Sequence, residues 1–215
     1  MMTAISLVVV SLALFLSAGT LAYWRAWTYL AVTLLASVPY VRLMLRDPVL
    51  REGRTKLGPL AEKRPIQKII VALSGVPGIA LFIVPGLDYR FHWSSMYFGL
   101  TLAGDVLIFL SMWMVYRVVK ENSFGSATIE VSEKQKVIST GPYAIVRNPM
   151  YASALVYFIG MSLALGSYWT LLAAALTALG LVWRLYDEEK FLSANLLGYK
   201  EYCSKVRWHL VPRIF

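Results

Sequence analysis

Six apolar stretches, each close to the thickness of a bilayer, decide what this chain can fold into. A helix crossing about 30 Å of hydrocarbon at about 1.5 Å per residue needs roughly 20 apolar residues. Residues 3–22, 26–41, 66–86, 93–116, 149–166 and 168–186 approach that length. The first carries no charge; Lys68 lies near the start of the third, Asp105 interrupts the fourth, and Arg184 lies near the end of the sixth. Only 15% of the 215 residues are charged and 58% are hydrophobic. A soluble domain carries about 25% charged residues, so a water-facing globule is excluded, and so is a disordered chain. The expected fold is all-α: a polytopic transmembrane bundle of about six spans, with five as the alternative count. Four spans fall in residues 1–120. Residues 121–215 then form a second part, with a helical hairpin over 149–186 and an amphipathic C-terminal helix at the interface. Residues 3–22 lack the basic start of a cleaved leader and are expected to remain as a span.

The basic residues give the orientation. Nineteen of the 21 lysines and arginines fall in or beside the segments that follow spans two, four and six, with Lys68 and Arg184 just inside the adjoining spans; the exceptions are Arg25 and Arg90. With six spans these three groups share one side, which the positive-inside rule makes cytoplasmic, together with both termini. Trp24, Trp27, Trp93, Tyr168 and Trp169 mark the opposite interface. The net charge of +9 therefore reads as orientation and attraction to anionic lipid. Nucleic-acid binding would want a basic stripe on a soluble module, so no nucleic-acid partner is expected. One cysteine, Cys203, rules out an intrachain disulfide framework, and His92 and His209 lie too far apart in sequence to suggest a metal cluster. The polar stretch 47–65, with Pro48, Gly53, Gly58, Pro59 and Pro65, reads as an irregular connection.

Two polar clusters stand out. The first is Gly141-Pro142-Tyr143 followed by Arg147-Asn148-Pro149-Met150-Tyr151. Asn-Pro breaks a helix before Pro149, which suits the first position of the next one, and a helix start favours anionic groups. The second is Arg184-Leu185-Tyr186-Asp187-Glu188-Glu189, in which Arg184 and Glu188 are four apart and able to pair on one helix face. Leu196, Gly198, Tyr199 and Tyr202 then suggest a tail lying on the membrane surface. The short link Gly166-Ser167 makes the fifth and sixth spans a tight hairpin and brings both clusters to one end. Each cluster alone also suits an interfacial anchor or a solvated helix end. Asp105 is a functional candidate as an intramembrane acid, or an internally paired one, and is not placed in the site.

These residues, with Leu197-Gly198-Tyr199, Tyr202, Val206 and Pro212, resemble the isoprenylcysteine carboxyl methyltransferase family and the related phospholipid methyltransferases, over about residues 123–213. The resemblance implies an integral-membrane enzyme using S-adenosylmethionine, releasing S-adenosylhomocysteine and needing no metal. It implies a cofactor pocket at the cytoplasmic face with Tyr143, Arg147, Asn148, Pro149, Tyr151 and Glu189 against cofactor. The stretch Gln135, Lys136, Val137 and Ile138 occupies the family's other cofactor position, and Arg184 is similar to its substrate arginine. One departure is clear: the family usually has Arg-His-Pro where this chain has Arg147-Asn148-Pro149, and asparagine cannot carry a positive charge.

The residues suit that chemistry. No G-x-G-x-x-G is present, so a soluble dinucleotide-type site is not expected. A carboxylate acceptor is already ionised and needs alignment rather than a base. Arg184 could hold it with two hydrogen bonds, Glu188 or Glu189 could bind cofactor hydroxyl or amino donors, and a tyrosine face could favour the sulfonium. Arg184 and Glu188 are thus the expected catalytic pair. The expected acceptor is the carboxylate of an isoprenylcysteine-like molecule, a lipophilic or prenylated small molecule or protein. A phospholipid amine or small thiol is the alternative and would require a base. Two other classes stay open: an NADPH-dependent membrane reductase of sterol-like substrates, and a non-catalytic membrane protein.

Overall fold

The computed structural model describes residues 2–55, 58–62, 64–122 and 136–215. Its helices are α1 (Met2–Ala18), α2 (Trp24–Arg46), α3 (Pro48–Thr55), α4 (Pro65–Phe91), α5 (Phe98–Glu121), α6 (Pro149–Ala164), α7 (Tyr168–Asn195) and α8 (Tyr199–Lys205), with single 3₁₀ turns at Pro59–Ala61 and Gly141–Ala144. Among the described residues there is no strand, as the sequence predicts. Four helices, α2, α4, α5 and α7, are long and apolar enough to cross a membrane. The other two expected spans are shorter apolar helices. α1 has 17 residues and α6 has 16, about 24 Å for α6 at the helical rise. The count that length and composition support is therefore four, against the six expected.

The surface is inverted relative to a soluble protein. Leu16, Leu35, Val76, Leu102, Phe109 and Leu179 are each at least half exposed, as a lipid-facing belt requires. The buried core is lined by Leu14, Tyr23, Tyr29, Leu81, Ile108, Met161 and Leu165 together with small residues such as Ala164, Ala173 and Ala174. α5 packs along α6 and α2, while α4 packs along α7 and α1.

Small residues set how close these helices come. A Cβ at Gly104 of α5 would sit 2.6 Å from the Gly160 carbonyl oxygen and closer still to the Ala164 nitrogen, both on α6. Two helices with lipid-like surfaces gain nothing from hiding apolar area in lipid, so close backbone approach is what holds them together. Next to this crossing, one oxygen of Asp105 is buried with no hydrogen-bond partner among the described residues.

The end of the bundle away from the charged clusters is pinned by Asp88, which is 2% exposed. Its carboxylate accepts from the Ser94 backbone N–H at 2.7 Å, the Ser94 hydroxyl at 2.6 Å and the Ser167 hydroxyl at 2.5 Å. Ser167 in turn caps α7 by accepting from the Thr170 N–H. One acid thereby ties the α4–α5 link to the α6–α7 turn. Trp24, Trp93 and Trp169 are exposed at this end, where the sequence expects an interfacial belt. Asp88→Ala leaves three donors at a buried position without their acceptor. At roughly 1.5–3 kcal/mol for a hydrogen bond to a charged group, thermal unfolding in detergent is expected to show a loss of about 3 kcal/mol.

Within the polar stretch 47–65, residues 48–55 are helical rather than irregular. Asp47 Oδ1 accepts from the Leu50 N–H at 3.1 Å and Pro48 begins α3, a capping arrangement that suits proline at the first helical position. α7 continues through the acids to Asn195, beyond the apolar stretch that ends at Tyr186. The tail does not lie open on a surface: Tyr199 and Tyr202 are 5% exposed, packed with Val206 against Val137, Tyr143, Leu192 and Leu196.

Candidate active site

α2, α5 and α7 end, and α4 and α6 begin, at the same end of the bundle, and there the two polar clusters meet. The meeting point is Glu189, 8% exposed. Its Oε1 accepts from Asn148 Nδ2 at 2.6 Å and lies 3.0 Å from His209 Nδ1, while Oε2 accepts from Arg147 Nη1 at 3.2 Å. Asn148 therefore serves as a donor rather than as a side-chain cap. Its backbone precedes α6 (φ −124°, ψ 62°) with Pro149 at the first helical position, as Asn-Pro predicts.

Arg147 also straps the C-terminal segment. Its Nε donates to the Val206 carbonyl at 2.7 Å and its Nη2 to the carbonyls of Cys203 and Arg207, both at 3.2 Å. The Arg147 and Asn148 backbone N–H groups donate to Trp208 and His209 at 2.9 and 3.0 Å. His209 is further held between Tyr186 and Phe215, with ring centroids 5.7 and 5.2 Å away. Sequence reading left His209 without a role. Asn148 and the His209 imidazole thus meet at one carboxylate oxygen.

A second chain of polar groups runs beside the first. The Tyr151 hydroxyl donates to Glu188, Arg184 Nε donates to the Tyr151 oxygen at 3.2 Å, and Arg184 Nη2 pairs with Glu62 at 2.7 Å. The expected Arg184–Glu188 pair thus acts through Tyr151, and the close ion partner of Arg184 is an acid from the 58–62 turn. Glu62 is 3% exposed. Nearby, Arg64 grips Asp187 with two bonds of 2.6 and 2.9 Å and lies 4.8 Å over the Phe191 ring. Gln67 donates to the same carboxylate. The first 120 residues, from which the sequence offered only topology, therefore supply Glu62, Arg64 and Gln67 to the charged end of α7.

Tyr143 forms one wall. Its hydroxyl accepts from Asn122 at 3.3 Å and its carbonyl accepts from the Tyr202 hydroxyl at 2.8 Å. Burial pushes the Tyr143 phenol up, only partly offset by the Asn122 hydrogen bond. Burial raises Tyr199 and Tyr202 as well, so the three rings stay neutral at physiological pH. Of the stretch 135–138, Val137 packs against this aromatic group, Ile138 is half-buried and Lys136 is exposed. Gln135 lies outside the described residues. The structure thus brings together Val137, Tyr143, Arg147, Asn148, Pro149, Tyr151, Glu188 and Glu189, with Arg184 joined through Tyr151.

The donor set fits a sulfonium cofactor. Carboxylates accept from ribose hydroxyls or an amino group, and neutral tyrosine faces suit a cation. Among the described residues no group of three or more His, Cys, Asp or Glu could hold a metal ion. Comparison with known proteins gives an independent result. The family model described as phospholipid methyltransferase matches residues 100–196, from early α5 to the end of α7, which includes both clusters. No curated protein matches the chain.

Proposed function

We propose, from the match of residues 100–196 to the phospholipid methyltransferase family model, that this chain transfers a methyl group from S-adenosylmethionine to the polar head of a lipidic acceptor. S-adenosylmethionine, when bound, supplies an electrophilic methyl on a sulfonium. Tyr143, Asn148, Glu189 and the 136–138 backbone would hold it, with Arg147 and His209 fixing the orientation of Glu189. The basic residues that cluster at this end support a cytoplasmic site. α6 and α7 would guide the acceptor's apolar chain in from lipid.

Pairing favours one acceptor head over the other. Arg64, Arg147 and Arg184 each face a carboxylate, at 2.6, 3.2 and 2.7 Å. Glu188 faces the Tyr151 hydroxyl instead. This is the observation that carries the reading: Glu188 takes its hydrogen bond from a neutral hydroxyl, with the charges of Arg184 and Arg54 reaching it as well, and each of these three guanidiniums is already partnered. Such a site suits an acceptor that brings its own positive charge and must lose a proton, as an amine head does. Glu188 is then the base, and Tyr151, backed by Arg184 and Glu62, orients it.

A carboxylate acceptor of the isoprenylcysteine kind is the second reading, and Arg54 favours it. Its Nε is buried without a hydrogen-bond partner among the described residues, and its charge reaches both Tyr143 and Glu188. A carboxylate acceptor needs no base, so Glu188→Gln separates the two. With an amine acceptor, loss of general-base catalysis is expected to lower turnover about 10²–10⁴-fold with cofactor affinity nearly unchanged. With a carboxylate acceptor, Arg54→Gln is the damaging change and Glu188→Gln is mild. Methyl-radiolabelled cofactor, native membranes and identification of the labelled product read this directly. Purified, folded protein that shows no saturable S-adenosylmethionine binding would overturn both.

A further inference from the structure

A second polar feature lies on the other side of the Arg147 strap. Ala144 and Ile145 on one side, and the tail segment 205–213 on the other, enclose an open cleft of about 360 Å³. Lys205, Arg207 and Arg213 line it together with Trp208 and Pro212, and no acid is among the lining residues. All three cations are exposed, and among the described residues none of them has an ion pair. The cleft is built into the fold. Arg147 accounts for the carbonyls of Cys203, Val206 and Arg207, so the backbone under the cations is fixed. Arg213 holds a left-handed conformation, φ 67°, which is uncommon for a residue with a side chain.

Its depth in the membrane follows from α6. A 16-residue helix covers most of a hydrocarbon core, so its first residue, Pro149, sits at the boundary with the headgroups. Ile145 precedes it by one turn's worth of chain. Ile145, Val211 and Ile214 are exposed beside the cleft at 58%, 41% and 80%. Three unpaired cations and an indole, bordered by exposed apolar side chains at headgroup depth, match a phosphate that carries acyl chains. A soluble phosphate would have no use for the apolar border.

We propose that this cleft binds the phosphate of an anionic phospholipid headgroup, separately from the site that holds cofactor. The test uses the full-length chain in detergent, with native mass spectrometry to measure retention of phosphatidylglycerol and phosphatidylcholine. Preferential retention of phosphatidylglycerol is expected. It should weaken about fivefold for Arg213→Gln and on the order of 100-fold when Lys205, Arg207 and Arg213 are all changed to glutamine. Equal retention of the two lipids, or an unchanged preference in either variant, overturns the proposal. The single variant keeps the test decisive if the triple one does not fold. Glycerol 3-phosphate is the second arm: displacement of the lipid at comparable concentration, with the same dependence on the three cations, would keep the phosphate chemistry but overturn the lipid source. Lipid retention is read without methyl transfer, so failure here and failure of the methyltransferase reading are distinguishable.

Discussion

Glu189→Ala is expected to cost the protein both its cofactor affinity and the docking of its C-terminal tail. The carboxylate is 8% exposed and takes hydrogen bonds from Asn148 and Arg147 with His209 at 3.0 Å. Removing one partner of a buried ion pair costs about 3–5 kcal/mol, because the other charge is left behind. Arg147 would keep its three carbonyl acceptors but lose its counter-charge, and Asn148 and His209 would lose their common point. If about 3 kcal/mol of that loss falls on the cofactor-binding conformation, S-adenosylmethionine affinity drops roughly 100-fold. Glu189→Gln keeps an acceptor for Asn148 and loses the charge, so it should fall between parent and alanine. Titration calorimetry of the purified protein measures the affinity. Limited proteolysis near residue 206 measures tail docking. Normal affinity with an intact tail in Glu189→Ala would show that this carboxylate does not organise the site.

Some of this arrangement was legible in the sequence because it is written locally. The Asn148–Pro149 helix start follows from what proline does to the residue before it. The tight link at Gly166 and Ser167 forces α6 and α7 to be antiparallel, and that alone carries Tyr151 to Glu188 and Asn148 to Glu189. What stayed hidden was long-range. Glu62 reaches Arg184, and Arg64 and Gln67 reach Asp187, across 120 residues or more of chain. No periodicity or spacing encodes such a pairing, and the turn that delivers Glu62 looked like any polar connection. The packing of the tail was hidden for a related reason. Tyr199 and Tyr202 announce an apolar face, but not what covers it, and the cover is Val137 and Tyr143 rather than lipid. Asp47-Pro48, by contrast, was a readable helix start, hidden by the prolines and glycines around it. Length and composition support four of the expected spans, because apolar length and helix length differ: the fifth apolar stretch loses its last residues to the turn at Leu165 and Gly166.

The largest effect on the fold is expected at Gly104. Hydrophobic burial cannot hold α5 to α6 within lipid, so the crossing depends on backbone contact that only glycine permits. A Cβ there would lie 2.6 Å from the Gly160 carbonyl oxygen and 2.8 Å from the Leu163 carbonyl carbon. These atoms belong to a helix backbone, which cannot turn aside as a flexible side chain can. Gly104→Leu must therefore separate the helices by a side chain's width. It would open the contact that also carries Ser111, whose hydroxyl donates to the Ser153 carbonyl at 2.8 Å. The site depends on the same crossing, since α6 presents Tyr151 in its first turn while α5 ends at Glu121, next to the Asn122 that donates to Tyr143. Overpacking in a well-packed core usually costs about 1–3 kcal/mol, and a clash with fixed backbone belongs at or beyond the top of that range. A marginally stable protein loses its folded population at that cost. The expected result is a sharp fall in monodisperse protein on size exclusion, with whatever folds unable to bind cofactor. Gly160→Ala is the milder companion, because its Cβ would meet the Leu107 Cβ at 2.9 Å and the Gly104 carbonyl oxygen at 3.0 Å, close enough to shift the helices by tenths of an ångström. A Gly104→Leu protein with parental yield and melting temperature would mean that α5 and α6 are held together by something other than this contact.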